Sequence, residues 1–391
     1  MESMFGGLES RIVLTEGMRD VLKHIEFLNQ KVYDITVRPE PLMDYMAGIL
    51  NDDLRVAGID VDKGEMKTIL SCHQSDDGIP LRLAGLRFSK RREFPWSIDT
   101  VASMQHRLTS GIPGYEPGRV RNRPYCEGTV PDNLQDYAES DLTVILRMLN
   151  QSPYHPLISA VLFWNGLELL QPFQGDNSLV YREVLTMALN SRNYRGVMRI
   201  PLAKHLADSK ETLCDARRTF IESGDPNPMI ETTVGCLVSA FEEAYEELGP
   251  MDVKKTVDGL SRSIIRNSRR RESFVLSDTH SWLGDISDQT FRARIAHLID
   301  LGILRKIGNT RATRYQYVDP FEDIRKANGG SLPHLDEDHL QLFYLGIGLF
   351  QKIDKLTVKE RKTRARRRAI TRVNACEKRG FSRASNRLRT V

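Results

Sequence analysis

Residues 171–182 read Gln-Pro-Phe-Gln-Gly-Asp-Asn-Ser-Leu-Val-Tyr-Arg, with an apolar run on either side. Gly175, Asp176, Asn177 and Ser178 stand directly ahead of the second run. In such a loop the backbone N–H groups can point at a phosphate, helped by the dipole of the helix that follows. The same residue types also cap helices, because a side-chain oxygen of Asp, Asn or Ser accepts the first free amides. The residues alone leave both roles open, with capping the commoner. His155 and His205 are candidate proton acceptors from elsewhere in the chain, although the first precedes Pro156 at a helix start and the second sits on an amphipathic stretch. The five cysteines (Cys72, Cys126, Cys214, Cys236 and Cys376) are scattered and form no Cys-x-x-Cys pair, so neither a zinc site nor a disulfide framework is signalled. A reducing, cytoplasmic setting is expected.

The elements that must position this loop are helical. Pro156–Leu170 (PLISAVLFWNGLELL) is apolar nearly all round, as a helix at the centre of a bundle should be, and it stops before Pro172. Amphipathic stretches at 18–32, 40–54 and 97–108 predict further helices, and the pattern is helical almost continuously from 132 to 248. Between them, residues 117–131 carry turn residues around short Val/Arg/Tyr runs and predict a hairpin. After Pro250 the order changes to three helices (254–266, 277–283, 288–301) and two short strands (303–307, 312–318) around a Gly308-Asn309 turn.

The segment from His155 to Arg182 resembles the core of Fic/Doc (Fido) proteins, in which a central helix runs into the loop His-x-Phe-x-Asp/Glu-Gly-Asn-Gly-Arg-x-x-Arg and then a second helix. The likeness spans roughly residues 97–248, including a Pro-Gly-Arg stretch before the hairpin, which in the family is a target-docking flap. It implies transfer of AMP or another phosphate-bearing group from a nucleotide to a protein hydroxyl, with ATP and Mg²⁺ as the cofactors of a functional loop. Carried over, the nucleotide-binding positions are Phe173, Asp176, Asn177, Ser178 and Arg182, with Asp176 also the weak candidate for metal. The base position holds Gln171, an amide that can donate or accept a hydrogen bond but cannot take a proton near neutrality. Gly175-Asp176 reverses the family's acid-Gly order, Ser178 replaces a glycine, and Leu179 replaces the first arginine. Loss of a general base alone costs about 10²–10⁴-fold in rate. The expected protein is therefore a Fic-type fold with a degenerate, non-catalytic or regulatory loop; the alternative is a divergent adenylyltransferase or phosphotransferase that uses another base.

Residues 290–305 resemble the recognition helix and first wing strand of a winged helix-turn-helix, and 308–317 its wing. That resemblance implies nucleic-acid contacts, with DNA ahead of RNA, from Gln289, Arg292 and Arg294 on the helix and Lys306, Arg311 and Arg314 on the wing. From residue 355 onward, fourteen Lys and Arg face two acids, Glu360 and Glu377, which is +12 on a remainder at −8. Such an arm, with Arg366, Arg367 and Arg368 at its centre, binds polyanions by releasing their counterions, or is simply a solvated tail. A protein partner and a homodimer are further candidates. No membrane association is expected, since the first residues lack a signal-peptide pattern and the longest near-apolar run, 342–350, is too short to span a bilayer.

The 391 residues, 28% of them charged, thus divide into five expected parts. These are an N-terminal helical region (1–96), a Fic-like core (97–250), a winged helix (251–320), a linker with an apolar helix (321–354) and a basic arm (355–391). The fold class is mainly α, with a small hairpin flap.

Overall fold

In the computed structural model, the described residues are 5–72, 78–89, 94–121, 138–151, 154–283, 287–308 and 313–327. The hairpin expected at 117–131 lies largely outside them. So do Arg311, the apolar helix and the arm with Arg366, Arg367 and Arg368.

Eleven α-helices build the larger part: α1 (Glu16–Asp34), α2 (Pro39–Val56), α3 (Lys63–Cys72), α4 (Ile79–Arg87), α5 (Ile98–Thr109), α6 (Ala138–Gln151), α7 (Pro156–Leu170), α8 (Ser178–Ser191), α9 (Leu202–Asp208), α10 (Lys210–Ser223) and α11 (Asn227–Leu248). Their ends follow local chemistry. Thr15 caps α1 by accepting from the Met18 amide, Ser97 and Thr100 form a capping box on α5, and Pro156 opens α7 with its fixed φ. Helix α7 packs on α6, α8 and α11, and every one of its residues except Pro156 and Glu168 is buried. All of α8 from Leu179 onward is buried as well.

Two buried side chains of α8 are ionic, and they need partners. Glu183 receives the Arg87 guanidinium, whose Nε lies 2.8 Å from Glu183 Oε2 while Nη2 meets Glu183 Oε1 and, at 2.7 Å, Asp53 Oδ2. Two carboxylates thus share one cation in the dry interior between α2, α4 and α8. Burial, reinforced by the second carboxylate, pushes Asp53 up to about 6 despite the arginine.

Among the described residues one apolar cluster gathers side chains from Phe5 to Leu248 together with Phe321 and Ile324, and it spans both sides of residue 96. Helices α1 and α2 have apolar faces that reach across that point: α1 packs on α11, and α2 packs on α9 as well as on α3 and α4.

A second apolar cluster belongs to residues 253–317: α12 (Gly259–Ser268), α13 (Leu276–Leu283), α14 (Asp288–Asp300) and the antiparallel pair β1 (Leu304–Ile307) and β2 (Arg314–Tyr317), in register Leu304 to Tyr317. The three helices and hairpin appear in the expected order. Helix α12 begins later than the periodicity suggested, because Asp258 caps it by accepting from Ser261 N while 253–255 form a 3-10 turn. The two parts are joined tightly: Val253 N donates to Thr36 O at 2.8 Å, and Asp252 Oδ1 accepts from Thr36 N.

The segment expected as a linker opens with regular structure. Residues 322–327 form a helix, α15 (Glu322–Ala327), since Phe321 and Ile324 are apolar and bury themselves. Phe321 stacks on Phe88 with centroids 3.9 Å apart, and Arg325 Nε donates to Phe88 O. Among the described residues no helix is long and apolar enough to cross a membrane.

Removing the shared cation leaves two buried carboxylates facing each other. Arg87→Met should destabilise the fold by about 3–5 kcal/mol, read from the denaturant midpoint. The Asp53 shift carries its own sign. An acid whose folded value is raised binds more protons folded than unfolded, so stability should fall as pH rises from about 4 to 6 and then level off. Asp53→Asn should flatten that limb of the stability–pH profile.

Candidate functional site

The loop between α7 and α8 is bound into the fold along its length. Gln171 ends α7 in the left-handed region, at φ 43°, where a residue with a Cβ is disfavoured. Arg121 holds it there: its Nε donates to Gln171 O at 2.7 Å and its Nη2 to Leu170 O at 2.8 Å, while Arg121 N donates to Pro172 O. Val120 pairs with Phe173 as an antiparallel bridge, so the chain leading into the expected hairpin lies along the loop. Phe173 is fully buried and anchors the turn. Gly175 has φ 89°, and a Cβ there would stand 2.7 Å from the Tyr115 ring, whose hydroxyl donates to Asp176 O.

Asn177 is fully buried and faces inward. Its amide nitrogen donates to Phe173 O, Gln174 O and Gly175 O at 2.7–3.2 Å, and its oxygen accepts from Gln105 Nε2. Asp176 Oδ1 accepts from Ser178 N at 3.0 Å, a local Asx turn just ahead of α8, whose N-cap position is Asn177 and carries no side-chain cap bond. The Ser178 amide is thus already engaged.

Beside the loop lies a cleft of about 860 Å³. Of the sequence-derived positions it brings together Gln171, Asp176, Ser178 and Arg182; Phe173 and Asn177 lie behind its wall. It also gathers Trp164 and Glu168 from α7 and Lys210, Arg217 and Arg218 from α10, none of which the sequence singled out. Glu168 did leave a signal, as the lone charge in an otherwise apolar helix. Residues 217 and 218 left none, being two arginines on an ordinary amphipathic helix.

Charges in this cleft balance toward positive. Glu168 stands 3.8 Å from Arg217, and burial raises its carboxyl above the ordinary range against the pull of Arg217 and Arg182. Arg217 stacks over Trp164 at 4.8 Å and donates through Nε to Asn165 Oδ1. Arg182 reaches back to Asp53 O at 3.0 Å. Three buried donors on cleft-lining residues, Arg182 Nε, Arg217 Nη2 and Trp164 Nε1, have no acceptor among the described residues. Gln171 turns its side-chain amide onto Glu168 O, so the base position holds a donor already in use.

Neither candidate histidine reaches the cleft. His155 lies at the far end of α7, about 20 Å away at 1.5 Å per residue, where it pairs with Glu26. His205 pairs with Glu243 at 2.8 Å and does not line the cleft. Among the described residues no three His, Cys, Asp or Glu side chains gather in a group that could hold a metal ion.

On the second part, Gln289 and Arg292 are exposed at the start of α14, and Arg292 stands 4.0 Å from Asp288. Arg294 is drawn to Asp258, the α12 cap, at 2.5 Å. Lys306 is exposed on β1, and Arg314 Nε donates to Ser273 Oγ.

The inward-facing amide of Asn177 should be the most sensitive element of the loop. Asn177→Asp, which sets a charge against three carbonyl oxygens, should cost about 2–4 kcal/mol, read as a shift of the denaturant midpoint. Gly175→Ala should also destabilise, and Tyr115→Ala in the same chain should relieve its steric part but not the backbone strain.

No family model matches the chain, and no curated protein matches it in sequence. In fold it is similar to solved structures. One is a Fic family protein from Desulfovibrio desulfuricans G20, at 16% identity over 79% of this chain and 98% of that one, with a TM-score of 0.48. Another is Fic-1 from C. elegans, at 17% identity over 59% of this chain and 73% of that one, TM-score 0.44. A third is a Fic-domain-containing signaling protein from Bacteroides thetaiotaomicron VPI-5482, at 13% identity over 58% and 97%, TM-score 0.45.

Proposed function

We propose that this chain is a Fic-type protein that binds a phosphate-bearing ligand of the nucleotide class in the cleft beside residues 171–182 without transferring its phosphoryl or nucleotidyl group, and that it engages nucleic acid through residues 251–320 and the basic arm. The reading rests first on the cleft lining. Arg182, Lys210, Arg217 and Arg218 outnumber Glu168 and Asp176, and buried donors of Arg182 and Arg217 lack acceptors among the described residues. A phosphate supplies acceptor oxygens for such forks. Proton abstraction has no equivalent support, because the base position carries an amide already bonded to Glu168 O. A metal would add charge opposite the phosphates, but no step here depends on one.

One observation favours a second reading, a divergent transferase. Glu168 lines the same cleft one turn ahead of Gln171, and burial raises its carboxyl, which is the direction a general base needs. Its ion pair with Arg217 opposes that role.

The nucleic-acid half rests on exposed Gln289, Arg292 and Lys306 and on the charge of residues 355–391. Because Arg294 and Arg314 already have partners, the helix start and the arm carry more of the contact than the wing.

Melting of the full chain with a panel of nucleotides tests the cleft. A ligand at a hundred times Kd should add about 2.7 kcal/mol, and Arg217→Gln should abolish the shift. No shift with any nucleotide would overturn the binding reading. Labelling of a protein hydroxyl from nucleotide that is lost in Glu168→Gln would establish the second. For the nucleic-acid half, retention on duplex DNA should fall steeply with salt, and replacing Arg366, Arg367 and Arg368 with Gln should lower the salt slope by about three.

A further inference from the structure

A second cavity, of about 560 Å³, lies where the C-terminal end of α1 meets the three-helix part. It is unrelated to the loop at 171–182. Five arginines line it against one acid, Asp319. Two are already neutralised: Arg87 by Glu183 and Asp53, and Arg325 by Asp319 at 2.6 Å.

The other three, Arg195, Arg199 and Arg269, make no ion pair among the described residues. Arg195 Nη1 donates to Tyr33 Oη at 3.1 Å, and Arg199 Nη1 to Ile35 O at 2.9 Å. Arg269 donates to Tyr33 O and Asp34 O, with its guanidinium between the Tyr33 and Tyr317 rings at 5.1 and 5.9 Å. Carbonyls and aromatic faces orient these cations but supply no full negative charge. Arg195 and Arg199 each keep Nε and Nη2 unspent, and Arg269 keeps Nε. Burial and the neighbouring Arg269 charge both weaken the hold of Arg199 on its proton. Like charges gathered at one cavity repel one another, and an anion among them relieves that repulsion.

The geometry points to a built anion site here, formed by Arg195, Arg199 and Arg269, for a small ligand carrying a diphosphate group. A monophosphate brings only about −1.5 to −2 at neutral pH and leaves a guanidinium unmatched, whereas two linked phosphates match three. The cavity volume falls in the ordinary range for small ligands. Because the three arginines come from a 3-10 helix, residues 195–199, and from the end of α12, bound diphosphate would bridge the helical core to the three-helix part.

Calorimetric titration of the full chain with inorganic pyrophosphate and, separately, with a nucleoside 5′-diphosphate tests this. The two arms separate a free diphosphate from one carried by a nucleotide. Measured in an Arg217→Gln background, which disables the first cleft, Arg195→Gln and Arg269→Gln should each weaken pyrophosphate binding about ten- to a hundredfold, and Arg195→Lys should restore part of it. Arg195 is exposed, so its variant reports even if Arg269→Gln fails to fold. Absence of binding heat, or affinity unaltered in both the Arg195→Gln and Arg269→Gln chains, would overturn the assignment and place any bound anion on the arm or in the first cleft.

Discussion

Helix α7 has almost no solvent face, so it is stable only when other helices enclose it on every side. Helices α6, α8 and α11 supply that enclosure, and α8 is itself so deeply covered that its polar residues must be satisfied inside the protein. Neighbouring positions on α8 resolve this in different directions. Arg182 bonds a backbone carbonyl of α2 and lines the cleft, while Glu183 turns to Arg87. Successive residues of a helix are about 100° apart, which lets one element serve the buried ionic cluster and the cleft at once.

The same enclosure explains the loop. A turn leading from one buried helix into another cannot leave its own carbonyls bare, and Asn177 satisfies three of them with one amide group. Arg121 fixes the other end. The loop is thus kept in a sharply defined shape by groups that do not face the cleft. Gln171 keeps a left-handed backbone conformation, and its side chain carries no proton acceptor suited to neutral pH.

The sequence made the helices of the core legible wherever apolar periodicity met a clear boundary. Pro156 and the Gln171-Pro172 step bound α7 at the residues observed. Boundaries set by caps rather than periodicity were missed, as at Asp258, and so was the short helix α15, whose two apolar anchors, Phe321 and Ile324, give too brief a pattern to distinguish from a linker. Within the site, the motif identified the loop but not the direction each side chain takes. Asn177 is invisible as an inward brace until the carbonyls around it are placed. Residues from α10 join the cleft only through tertiary packing, and Arg269 lies too far in sequence from Arg195 and Arg199 to suggest a cluster.

The attachment of α1 has a consequence for how the chain matures. Its last carbonyls, at Tyr33 and Asp34, bond the side chain of Arg269, and Thr36 just beyond bonds Asp252 and Val253, more than two hundred residues downstream. Closing so long a segment is entropically slow. During synthesis, an amphipathic helix that leaves the ribosome early must therefore wait with its apolar face uncovered until most of the chain has followed. Helix α1 is thus made well before the segments that fasten its end.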